Sequence, residues 1–116
     1  MEEEELLENL VLELRRGVIV LAVLSQLQEE QYGYSILKQL SEKGLGVDQG
    51  TLYPLLRRME SQGLLQSSWR VESDRPRRYY VASPLGKTIL PKVKAEWMKI
   101  SGTLDRFLEE LRTEKE

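Results

Sequence analysis

The chain of 116 residues contains no cysteine and no histidine. Without cysteine there is neither a disulfide nor a thiolate metal site, and a reducing compartment is compatible. Without histidine, the commonest general base and the commonest metal ligand are both missing. Long apolar runs are missing too: nothing approaches the roughly 18 residues expected of a membrane-spanning helix. The opening MEEEELLENL is acidic, unlike the basic start of a secretory signal. We therefore expect a soluble, cytoplasmic protein without a cofactor. Neighbouring carboxylates such as Glu109 and Glu110 fall on helical faces, and no nucleophile–base pair, phosphate loop or metal cluster can be assembled. Catalysis is not expected.

What is present is one domain's worth of chain, 41% hydrophobic, with a net charge of −2. That charge is uneven. Residues 1–30 carry two basic groups against eight acidic ones, residues 31–82 eight against five, and residues 83–116 seven against six. Screening limits each charge to a reach of roughly 8–10 Å at physiological salt. The local excess of positive charge in the middle therefore matters more than the total, and it permits contact with a polyanion.

The most informative stretch runs from Asp48 to Gly63. Leu52, Leu55, Leu56 and Met59 recur at i, i+3, i+4 and i+7, one apolar helical face. At about 100° per residue, Gly50, Pro54, Arg57, Arg58 and Ser61 fall on the opposite face and Tyr53 on its flank. Either Asp48 or Thr51 can cap the start, and Gly63 is a natural stop. The outward face is small at its beginning and basic in its middle, so its first turn can press against a surface while arginines reach a polyanion. On its own, Arg57 can equally be a solvated residue paired with Glu60 at i, i+3.

The rest of the chain gives this helix a setting. Residues 2–14 read as a helix with Leu6, Leu7, Leu10, Val11 and Leu14 on one side, its glutamates solvated and favoured by the dipole. Gly17–Gln28 is apolar nearly all round and predicts a buried central helix, followed by a polar turn through Gln31. Tyr34–Lys43 is a further helix that turns Ile36, Leu37 and Leu40 inward and stops at Gly44. With the helix at Asp48 it forms a helix-turn-helix unit. After Gly63 the period changes to two: Leu65, Trp69 and Val71 alternate with polar residues, a turn-rich loop covers Glu72–Pro76, and Arg77–Val81 resumes as strand. This β-hairpin is a wing whose tip and return strand carry Arg75, Arg77 and Arg78. Trp69 is expected to anchor it on the core. Tyr79 and Tyr80 point to opposite faces, and the sequence leaves open which is buried.

Ser83 and Pro84 start the last helix. Leu90, Trp97, Leu104 and Leu111 occupy one heptad position and Val93, Ile100 and Phe107 the other, a seam that argues for helix–helix pairing. Pro91 should bend or loosen its first turns, and Thr113–Glu116 should fray. Trp97 has two readings: a filler of a dimer core, or one wall of a slot for a planar ligand.

Several blocks together resemble the PadR family of transcriptional regulators. They are Tyr32-Gly33-Tyr34, the run from Gly50 to Glu60 (GTLYPLLRRME), Gly63-Leu64-Leu65, and Arg77-Arg78-Tyr79-Tyr80 followed by Ser83-Pro84-Leu85-Gly86. The resemblance covers about Arg16 to Leu111 and is closest to the short subgroup with a single C-terminal dimerisation helix. It implies a mainly α fold with a small β-hairpin wing: a winged helix-turn-helix (17–82) flanked by an N-terminal helix (2–14) and a C-terminal dimerisation helix (83–112). It also implies a homodimeric repressor of promoter DNA. The DNA-binding set is then Gln49, Gly50, Thr51, Tyr53, Pro54, Arg57 and Arg58 on the helix, with Tyr34 beside it and Arg75, Arg77 and Arg78 on the wing. Leu7 and Leu10 join Leu90, Val93, Trp97, Ile100, Leu104, Phe107 and Leu111 at the dimer interface. In some short members a tryptophan of the last helix lines a pore for planar aromatic ligands, and Trp97 lies in the matching stretch. The competing expectation is a winged-helix module whose basic face meets an acidic protein.

Overall fold

The computed structural model describes residues 2–115, with side chains described through Leu111. The elements follow as α1 (Glu3–Gln26), β1 (Gln31–Tyr32), α2 (Gly33–Glu42), α3 (Gln49–Ser61), β2 (Leu65–Glu72), β3 (Arg75–Ala82) and α4 (Pro84–Lys115). Helix α1 is one continuous 24-residue helix where the sequence suggested two. An interior glycine costs only about 1 kcal/mol. Good helix formers (Glu13, Leu14, Arg15, Arg16) precede Gly17, and the residues after it, Val18 to Leu24, are held by burial. Burial along α1 changes with length: every residue from Val18 to Leu24 is buried or half-buried, as expected of a central helix, and the N-terminal half is exposed. Ile19, Val23 and Leu24, with Leu27 just beyond the helix, enter the core, whereas Leu6, Leu7, Leu10, Val11 and Leu14 are exposed.

The sheet has three antiparallel strands in the order β1-β3-β2, one more than the expected hairpin. Strand β1 is only two residues long, Gln31 opposite Tyr80 and Tyr32 opposite Tyr79, too short for any alternation to reveal. Side-chain amides fix it: Gln31 Nε2 donates to the Gln26 carbonyl at 3.1 Å and to Gln39 Oε1 at 3.3 Å. The β2–β3 hairpin closes through Ser73 and Asp74, both at positive φ (49° and 67°). Such a two-residue turn matches the twist of the flanking strands.

Core side chains come from every helix and from the sheet: Val23, Leu27, Ile36, Leu40, Leu52, Leu56, Met59, Leu65, Tyr80 and Ala82 are buried together, with Ile89 and Leu90 of α4 packed against them. Tyr80 is thus the inward member of the tyrosine pair. The joint between wing and α4 is tight. Ser83 Oγ donates to the Gly63 carbonyl at 2.5 Å and accepts from the Gly86 amide at 3.0 Å. A β-carbon on Gly86 would overlap the Leu64 carbonyl oxygen, so only glycine fits there. Beyond this joint α4 runs for 32 residues, continues through Pro91 without a break, and carries the molecule to 63 Å in its longest dimension. It remains helical through Lys115, past the point where fraying was expected, and Glu116 lies outside the described residues.

Candidate nucleic-acid interface

Helix α3 is placed by its apolar stripe: Leu52, Leu55, Leu56 and Met59 are all buried. The cap left open by the sequence is Asp48, whose Oδ1 accepts from the Thr51 amide at 2.7 Å. The far end closes with Leu64 N donating to the Met59 carbonyl at 3.0 Å, Gly63 taking the left-handed conformation between them (φ 84°). With both ends fixed, Gln49, Gly50, Thr51, Pro54, Arg57 and Arg58 are exposed on one side of the helix. Tyr53 is half-buried and its ring crosses Gly33 at the start of α2. A β-carbon at Gly33 would stand 2.7 Å from Tyr53 Cε1, so the glycine is what lets the ring lie there.

The wing is held to α3 by a small polar cluster. Glu60 Oε1 pairs with Arg78 Nη2 at 2.8 Å, Glu60 Oε2 accepts from Ser67 Oγ at 2.6 Å, and Arg78 Nε donates to Ser67 Oγ at 3.1 Å. Glu60 therefore serves Arg78 and not Arg57 as one reading of the sequence had it. Arg57 and Arg58 make no salt bridge among the described residues. On the opposite face of the hairpin, Arg77 lies 4.5 Å over the Tyr32 ring and reaches Glu72 at 3.7 Å. Arg70, which the sequence did not single out, lies 4.5 Å over Tyr79 and pairs with Glu30. Tyr79 donates its hydroxyl proton to Glu72 at 2.8 Å, a bond that raises its pKa, while burial raises that of Tyr80. Both phenols are neutral donors at neutral pH.

Between α3, the wing and the β1–α2 junction lies a groove of about 910 Å³. Four guanidiniums line it (Arg57, Arg75, Arg77, Arg78), together with the rings of Tyr32, Tyr34, Tyr53, Trp69 and Tyr80, and no carboxylate among the described residues. It gathers Tyr34, Gln49, Tyr53 and Arg57 with the three wing arginines. Gly50, Thr51, Pro54 and Arg58 are exposed on α3 but do not line it. Trp69 overturns its expected role: it is 65% exposed rather than anchored in the core. Strand β2 enters the core only at Leu65, and by Trp69 it has run out over the groove. Strand periodicity gives the face of a residue but not how far along the strand the core extends. Trp97 stands apart from this groove, exposed on α4 with Val93, Ile100, Leu104, Phe107 and Leu111.

Comparison with known proteins agrees with this geometry. The family model described as the transcriptional regulator PadR-like family matches residues 20–92. A transcriptional regulator of Mycobacterium tuberculosis is 40% identical over 79 residues, covering 67% of this chain and 74% of that protein. The crystal structure of a PadR family transcriptional regulator from Eggerthella lenta superposes with a TM-score of 0.85 at 43% identity, covering 91% of this chain and 95% of that one. A PadR family regulator from Clostridium difficile gives a TM-score of 0.70 at 35% identity, with 78% and 97% covered. These relatives are regulators of transcription, not enzymes, and no helix among the described residues is long and apolar enough to cross a membrane. The chain belongs to the PadR-like family of transcriptional regulators.

Proposed function

We propose that this protein is a cytoplasmic, homodimeric repressor that reads a pseudo-palindromic promoter site with α3 and grips the flanking phosphates with its wing. The observation that carries the reading is the carboxylate-free, arginine-lined groove beside the exposed face of α3. Guanidiniums on two elements bracket a channel, so the wing supplies phosphate contacts while Gln49, Thr51 and Arg57 present hydrogen-bonding groups to base edges. A helix built to dock on a protein shows apolar anchors on its outward face. This one shows Gly50, Thr51, Pro54, Arg57 and Arg58 instead.

Dimerisation is supported by what a single chain leaves uncovered. Leu7 and Leu10 of α1, and Val93, Trp97, Ile100, Leu104, Phe107 and Leu111 of α4, are exposed in one protomer, a far larger apolar seam than soluble monomers usually present. Pairing of these helices about a two-fold axis would set two copies of α3 about 34 Å apart, one turn of DNA. A planar aromatic effector entering between the protomers would meet the half-exposed indole of Trp97. A gel shift with duplex from the chain's own promoter region, competed by scrambled duplex, tests the reading. Retention against excess scrambled competitor supports it, and equal competition by both duplexes removes the sequence-specific part.

A further inference from the structure

The residue that sequence reasoning sent to the core is the most conspicuous group in the groove. Trp69 stands on β2 opposite Arg78 of β3, and the Arg78 guanidinium lies 5.7 Å from the Trp69 ring and 5.4 Å from the Tyr80 ring. Arg78 is itself fixed by Glu60 and Ser67. The indole thus stands beside a clamped guanidinium in the groove and 65% exposed, although burying so large an apolar ring would have stabilised the fold. Nothing in the fold requires an exposed tryptophan here. Its Nε1–H is a donor only and has no acceptor among the described residues.

Resting on the DNA-binding reading, we infer that Trp69 is a direct contact to the DNA backbone. Its indole face packs on a deoxyribose and its Nε1–H donates to a phosphate oxygen, in the groove that Arg57 and Arg75 also line. The chemistry of the groove selects this occupant. Rings offer a flat apolar surface and phenols offer donors, and the lining residues include no carboxylate. While Arg77 and Arg78 are paired with Glu72 and Glu60, Arg57 and Arg75 make no salt bridge among the described residues. A sugar–phosphate strand presents that combination of apolar ring faces and anionic acceptors. Because sugar and phosphate carry no sequence information, the contact should strengthen binding to any duplex equally.

The test uses a fluorescein-labelled, mixed-sequence duplex of about 30 base pairs at about 50 mM salt, where backbone contacts dominate. Anisotropy reports binding while tryptophan emission is read in the same titration. The parent protein should show a saturating change in emission with the same midpoint as the anisotropy. In Trp69→Phe that change should vanish while binding persists, weakened about fivefold, roughly the net loss of one hydrogen bond. Trp69→Ala should weaken binding roughly tenfold on mixed-sequence and promoter duplexes alike, with an unchanged melting temperature because the side chain is exposed. If binding saturates with unchanged emission, or if Trp69→Ala binds as well as the parent, the contact does not exist and the rest of the interface stands. If the parent itself fails to bind either duplex, both this contact and the DNA reading fall.

Discussion

Glu60 near the end of α3 and Arg78 in the wing are joined by a 2.8 Å ion pair, and Ser67 hydrogen-bonds to both. Helix and hairpin are therefore held as one unit, and Arg78 works as a brace between them more than as a free cation. Both side chains are about a third exposed, so the pair should be worth only about 0.5–1 kcal/mol. A double-mutant cycle with Glu60→Gln and Arg78→Gln, read by urea unfolding, should return a coupling of that size. Strict additivity of the two changes would mean that the pair holds nothing together.

Two glycines should respond differently to the same substitution. In Gly86→Ala the new methyl meets a backbone carbonyl, which cannot step aside, and we expect a loss of several kcal/mol or failure to fold. In Gly33→Ala it meets the ring of Tyr53, which can swing away. That variant should fold with a loss of about 1–2 kcal/mol and bind operator poorly, because the displaced ring disturbs α3's approach. Melting curves beside gel shifts separate the cases, and equal behaviour of the two variants would contradict this reading of the two glycines.

Leu104 lies mid-way along the exposed seam of α4. Leu104→Glu should yield a folded monomer by light scattering, and its operator affinity should fall with its dimer content, since a single half-site binds poorly. An unchanged dimer would exclude this seam as the interface.

The pH dependence should be nearly flat near neutrality, because the chain has no histidine. Tyr79, through its bond to Glu72, and Tyr80, through burial, both have raised values in the fold. A raised phenol pKa favours the folded state at pH below the unfolded value of about 10, and this contribution is lost as pH climbs through the folded value. Stability should thus hold from about pH 6.5 to 8.5 and decline above about pH 10. A steep change of stability inside the neutral window would require a titrating group that this arrangement does not contain.

How far the sequence could be read follows from the length scale of each signal. The stripe Leu52, Leu55, Leu56 and Met59 spans two turns and has one solution, so α3, its buried face and its exposed arginines were all legible. Strand β1 has two residues and no pattern to read. Gly17 looked like a boundary because propensity is local, whereas the core that carries α1 through it is built by residues far away. Trp69 failed for a related reason, since alternation cannot tell where along a strand the core ends. The pairing of Glu60 with Arg78 joins residues 18 apart, and no helical spacing could have preferred it to Arg57. The wing arginines were found as a group, yet their division into a brace (Arg78), a ring-stacked cation (Arg77) and one with no salt bridge among the described residues (Arg75) needed three dimensions.

The most direct test of the account is the salt dependence of promoter binding. A dimer that neutralises roughly 6–10 phosphates should lose about 10³–10⁵ in affinity between 50 and 200 mM salt, along a straight log–log line. Arg75→Ala should flatten that line by about one unit for each phosphate left without its arginine, and Arg78→Ala, already paired with Glu60, should flatten it less. A line without slope for the unmodified protein would contradict the claim that this groove holds DNA.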